Sequence, residues 1–192
     1  RIDRSAFMAG HVPGALYAPM NRTFNTVVGS YVEEETPIYL IIEEDQVEEA
    51  VRDLVRIGLD TVVGYATPEV LARYRDEGGA LGSIPEIRFE NVEALRHRED
   101  VTALDVRGIA EYRTGCVPGA YNVAYTRLSV RKEEVPLDKT LLVYCRTGAR
   151  AAVASAFLAC CGYTVQYVND DIANGLTNSG VADDRAMKTA MI

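Results

Sequence analysis

Short apolar runs alternate with helix-period stretches along this chain. In its second half the runs are Val101-Thr102-Ala103-Leu104, Leu141 to Tyr144 and Val165 to Val168. Continuous runs of four to six apolar residues predict strands buried on both faces. Between the last two, Val153, Ala154, Phe157, Leu158 and Cys161 share one helical face, and Gly162 ends that helix. The first half carries the same alternation. Pro37 to Ile42 predicts a strand, Val47, Ala50, Val51, Leu54 and Val55 an amphipathic helix ended at Gly58, and residues 61–65 a second strand. Thr67 is a predicted N-cap with Pro68 at the first helical position, and Gly78-Gly79 stops that helix. Asn91 is a predicted cap for a helix over about 91–98.

The alternation is an internal repeat. Gly10, Val12, Pro13, Gly14 and Ala15 recur 105 positions later as Gly115, Val117, Pro118, Gly119 and Ala120, with Phe7 answered by Tyr112. Two homologous units follow, residues 1–82 and 83–192, separated by a short linker near Gly82 to Pro85. Each is expected to be a small α/β domain whose mostly parallel sheet is covered by helices on both faces. The first unit lacks the twenty or so residues that precede the repeated motif in the second, so it is expected to be N-terminally truncated.

Composition narrows the function classes. Apolar residues at 48% and charged residues at 25% describe a globular chain. A net charge of −8 repels phosphate backbones and argues against nucleic-acid binding. No apolar run approaches the roughly 20 residues of a membrane span. Two histidines and four cysteines give neither a histidine-rich metal site nor a disulfide scaffold, so no metal or other cofactor is expected. Arg1 opens the sequence without the features of a secretory signal, and a cytoplasmic location is the expectation.

The candidate chemistry follows the strand at 141–144. Cys145 leaves the strand's carboxyl end, and Arg146, Thr147, Gly148, Ala149 and Arg150 lead into a helix. Ligand sites of open α/β sheets lie at the carboxyl ends of strands. A tight loop into a helix N-terminus gathers backbone N–H groups around an anion. A thiol in such a cradle is stabilised as the reactive thiolate. Arg146 and Arg150 add donors suited to oxyanions. The competing reading of Cys145 is an inert buried cysteine. Asp105 and Arg107 read as structural, pinning the first strand and its turn.

Asp105-Val106-Arg107, the motif running from Glu111 to Val123, and Cys145 to Arg150 together resemble the rhodanese, or thiosulfate sulfurtransferase, homology domain. The resemblance covers residues 87–180 and, more weakly, 1–80. It implies a sulfurtransferase in which Cys145 carries sulfane sulfur as a persulfide. Residues 146–150 would hold the substrate. The partners would be a small sulfur donor (thiosulfate or a low-molecular-weight persulfide) and a thiol acceptor. Cysteine phosphatases resemble a C-x5-R loop; the C-x4-R spacing here fits one sulfur atom better than a phosphate. A phosphatase or arsenate reductase is the weaker alternative, and a non-catalytic interaction module is another.

The chain departs from that pattern in three places. The first unit has no cysteine, and Glu43-Glu44-Asp45 stands where the loop would be, so it reads as catalytically silent. Cys116 replaces the family's usual histidine, either as a bland turn residue or as a second thiol. The usual Gly-Gly and Trp are replaced by Asp170 to Gly175 and by a chain without tryptophan. A silent unit before an active one resembles two-domain sulfurtransferases. It also resembles the C-terminal half of persulfide dioxygenases fused to a metallo-β-lactamase-fold domain. The latter is favoured by the run from Arg56 to Tyr65. Homo-oligomerisation is left open.

Overall fold

The computed structural model describes residues 3–178, so part of the predicted second unit, 179–192, lies outside the described residues. The first half contains helices α1 (Arg4–Ala9) and α2 (Phe24–Tyr31), strand β1 (Ile38–Ile41), helix α3 (Val47–Val55), strand β2 (Val62–Ala66) and helix α4 (Pro68–Asp76). The second contains β3 (Glu86–Ile87), α5 (Phe89–Leu95), β4 (Val101–Asp105), α6 (Ile109–Arg113), β5 (Tyr121–Asn122), α7 (Leu128–Arg131), β6 (Thr140–Tyr144), α8 (Ala149–Cys160), β7 (Val165–Val168) and α9 (Ile172–Asn178). Among the described residues no helix is long and apolar enough to cross a membrane.

The second half forms an all-parallel sheet in the order β3-β7-β6-β4-β5. Its central strand β6 is buried on both faces, which explains its unbroken apolar run. Leu141 and Val143 face a core shared with α8, while Leu142 and Tyr144 face a core built with α5 and α9. This is the doubly covered sheet expected from the sequence.

The first half differs from the expected form. Among the described residues its sheet has two parallel strands, β1 and β2, not a sheet covered on both faces. Ile38, Leu40 and Val62 pack on Phe24, Ala50 and Leu54. The opposite face leaves Tyr39 73% exposed, with Val63 and Tyr65 also exposed. The sheet therefore alternates between a buried and an open face, as a half-covered sheet does.

The N-terminal segment also packs across the predicted boundary. Phe7 and Met8 of α1 join the same core as Leu141, Val143 and α8. The Tyr31 ring lies 4.5 Å from that of Phe157, and the Tyr31 hydroxyl donates to the Tyr125 carbonyl. His11 N–H donates to the Gly82 carbonyl at 3.0 Å, and Gly82 N–H returns to His11 at 2.8 Å, fastening this segment to the linker. As a result α8 is not amphipathic: every residue from Ala151 to Leu158 is buried. Its alanines are small enough to let neighbours close in on all sides.

Local signals behave individually. Thr67 stands at the N-cap position of α4 with Pro68 at N1, though its side chain makes no capping hydrogen bond, and Gly58 and Gly162 take positive φ just beyond α3 and α8, as the sequence predicts. Asn91 does not cap α5. The N-cap is Arg88, and Asn91 Oδ1 reaches back to accept its N–H at 2.9 Å. A polar side chain at N3 can satisfy an orphan donor as well as one at the N-cap.

Candidate functional site

The site is built at the carboxyl end of β6. Cys145 follows the strand directly, 2% exposed, while Arg146, Thr147 and Ala149 of the same turn are exposed. Gly148 turns the chain into α8 with φ +86°, a left-handed conformation that favours glycine. Ala151 N–H points at Cys145 Sγ, with N and S 3.4 Å apart. The Arg146 carbonyl accepts from Ile172 N–H at 2.9 Å, so the start of α9 braces the turn from behind.

Gly148 is fixed by contact as well as by φ. A Cβ at this position would lie 2.7 Å from Tyr167 Oη and 2.8 Å from Asn169 Oδ1. Asn169 is itself tied down, donating to Glu86 Oε1 at 2.8 Å and Ser5 Oγ at 3.3 Å. Gly148→Ala therefore meets both backbone strain and a steric clash. It is expected to destabilise the protein by about 1–3 kcal/mol and to open the turn. A thermal melt of the variant checks this, and an unchanged midpoint would contradict it.

Arg150 does not reach freely into solvent. It gives Glu111 a two-pronged ion pair, Nη1 to Oε2 at 2.6 Å and Nη2 to Oε1 at 2.8 Å. Its guanidinium charge is reinforced first by Glu111 and further by the nearby Cys145 sulfur. The hydrogen bonds from Arg150 bring the Glu111 carboxyl down to about 2. The ion pair's stabilisation is thus fully present above the ordinary carboxylate value of 4.5 and is lost as pH falls through about 2. Glu111 is 41% exposed, so water screens the pair and its contribution stays below about 1 kcal/mol. Acid titration of stability should be shallower in Glu111→Gln than in the parent between these pH values. Coincident curves would remove the linkage.

Asp105 and Arg107 have the structural role the sequence suggests. Asp105 is fully buried at the end of β4 and accepts Arg107 N–H, Nε and Nη2 at 2.6–3.0 Å. Arg107 Nη2 also donates to the Gly115 carbonyl at 2.7 Å, pinning the turn after α6. Cys116, in that turn, is half-buried beside the Tyr112 phenol.

The acidic replacement at 170–171 caps α9. Asp170 accepts Phe89 N–H, Asp171 N–H and Asn174 Nδ2; Asp171 accepts Ala173 N–H. Asp171 thus satisfies an orphan donor of α9 and Asp170 one of α5, and both charges suit the helix starts beside them. In the first half, Glu44 to Gln46 form a 3-10 turn ahead of α3. Glu44 accepts a hydrogen bond from the Tyr65 hydroxyl at 3.3 Å. Sequence reasoning singled out the contiguous turn 145–150 but missed Glu111, Tyr167 and Asn169. They join the turn only through tertiary contact, although Glu111 opens the motif that carries the resemblance.

An all-parallel sheet covered by helices on both faces, with a cysteine turn at the carboxyl end of its central strand, defines an α/β domain. The rhodanese-like domain model matches residues 89–175. A sulfurtransferase from Allochromatium vinosum is 36% identical over 81 residues, 42% of this chain and 76% of that protein. An HTH-type transcriptional regulator from Mycobacterium tuberculosis is 42% identical over 76 residues, but the match spans only 33% of its length. Among solved structures, a rhodanese-related protein from Thermoplasma volcanium is similar at 24% identity and a TM-score of 0.45, over 49% of this chain and 92% of that one. The chain belongs to the rhodanese-like family.

Proposed function

We propose that this protein is a sulfurtransferase that carries sulfane sulfur as a persulfide on Cys145. The observation that carries the reading is the Cys145 turn, with Ala151 N–H on the sulfur and Arg150 beside it. The thiolate attacks the outer sulfur of thiosulfate, or of a small persulfide. A new S–S bond forms on Cys145, and sulfite or a thiolate leaves with the electron pair of the broken bond. An acceptor thiolate then attacks the outer sulfur, and Cys145 departs as thiolate. In both steps negative charge sits on Cys145 Sγ, as the attacking thiolate in the first and as the leaving thiolate in the second. The fixed Ala151 N–H and the Arg150 guanidinium favour that charge without reorganising. Exposed Arg146 and Thr147 line the approach for an anionic donor.

Within the same reading, residues 83–192 form the working unit and 1–82 a related unit without a nucleophile. The internal repeat supports this division. A fused metallo-β-lactamase-fold domain upstream is the arrangement favoured by the first unit's sequence. Incubating the full chain with thiosulfate and then weighing it intact tests the chemistry. A gain of one sulfur mass mapping to Cys145 is the expected result, and its absence with every small donor tried overturns the reading. The near-complete burial of Cys145 favours a second reading, a non-catalytic binding module. On that reading native Cys145 resists alkylation as well as sulfur loading.

A further inference from the structure

Beneath the turn lies a polar group that the proposed transfer has not used. Tyr167 pairs with Val143 in the parallel register of β6 and β7. Alternate residues of a strand share a face, so Cys145 and Tyr167 rise from the same side of the sheet, and both belong to the same core. Tyr167 is fully buried, and its hydroxyl has no hydrogen-bond partner among the described residues. The groups facing it are Arg4 of α1, Tyr17, Glu86 of β3 and Cys145. Burial pushes the phenol up, so it remains a protonated donor through neutral pH. That donor abuts the backbone of the turn at Gly148.

A buried hydroxyl without an acceptor is destabilising. Its persistence calls for an explanation. Of the acceptors around it, the Glu86 carboxylate is engaged by Asn169 Nδ2 at 2.8 Å; the sulfur of Cys145 is the acceptor that the proposed chemistry turns into a thiolate or a persulfide anion. We infer that Tyr167 Oη donates a hydrogen bond to the anionic sulfur of Cys145, completing from the core side the ring of donors that the backbone begins. The inference deepens the sulfur-transfer reading and rests on it for the loaded state. For the thiolate it stands independently.

Tyr167→Phe removes only the hydroxyl. Losing a hydrogen bond to a charged group lowers the thiolate fraction by about tenfold. The more basic thiolate is more nucleophilic, which recovers part of this, leaving alkylation about threefold slower. The full chain and its Tyr167→Phe variant are treated with iodoacetamide at pH 7, and modification of the Cys145 peptide is followed by mass spectrometry. In parallel, each is loaded with thiosulfate against added sulfite. The expected results are slower alkylation, a smaller loaded fraction, and a melting temperature at acid pH that is unchanged or raised. Equal alkylation rates overturn the inference even if the wild type loads sulfur normally. So does a lower melting temperature at acid pH, where the sulfur is a neutral thiol, because the hydroxyl would already have had another partner. Slower alkylation in the variant with no loading in the wild type removes the sulfur-transfer reading and keeps the hydrogen bond. A wild-type Cys145 that neither alkylates nor loads sulfur overturns both, and if it loads without alkylating, an equal loaded fraction in Tyr167→Phe overturns the inference.

Discussion

Cys145→Ser is expected to abolish sulfur transfer, with turnover falling by about 10³-fold or more and no sulfur adduct on the protein. The reason is the nucleophile. A thiol gives up its proton far more readily than an alcohol, and sulfur attacks sulfur well, so a serine hydroxyl cannot replace it. The donors that favour anionic sulfur, Ala151 N–H and Arg150, remain in place and have nothing to act on. The substitution is close to isosteric, so the fold should survive, and a melting curve near that of the parent will show that activity was lost through chemistry. Cys116→Ser serves as the comparison. If Cys116 only fills its turn beside Tyr112, that variant keeps the adduct on Cys145. Persistence of turnover in Cys145→Ser would place the reaction elsewhere on the molecule.

The turn was legible because its parts are consecutive. A buried run ending at Tyr144, a cysteine, a glycine two residues before Arg150 and a helix signal are all local, and the structure assembles them in that order. Strands β4, β6 and β7 were legible for the same reason, since burial on both faces leaves an unbroken apolar run. Strands β3 and β5 were not, because two-residue edge strands carry no periodicity. The all-round burial of α8 could not be read from its own residues. It depends on α1 and Tyr31, which lie more than a hundred residues away. Tyr167 looked like an ordinary strand residue. Only the register with Val143 and the close approach at Gly148 bring its hydroxyl to the turn. The open face at Tyr39 and Val63 is the opposite case. Their apolar run predicted double coverage that the described residues do not supply.

Arg107→Ala is expected to be the most destabilising single change near the site. Asp105 is wholly buried, and Arg107 is almost as well covered. Replacing such a pair with apolar residues can be nearly neutral, but removing one partner strands a charge in a medium that solvates it poorly. The expected loss is about 3–5 kcal/mol. At roughly 2–4 °C per kcal/mol for a chain of this size, the melting temperature should fall by about 10 °C. The same change frees the Gly115 carbonyl and loosens the turn after α6. Because α6 also carries Glu111, the partner of Arg150, activity at the Cys145 turn should decline along with stability. Two further variants separate charge from geometry. Arg107→Lys keeps the charge but loses the fork that binds both Asp105 oxygens, and it should fall between parent and alanine. Asp105→Asn combined with Arg107→Ala removes the stranded charge and should recover part of the loss. If the double variant is no more stable than Arg107→Ala, the damage comes from the broken turn at Gly115, and the electrostatic account of this pair fails.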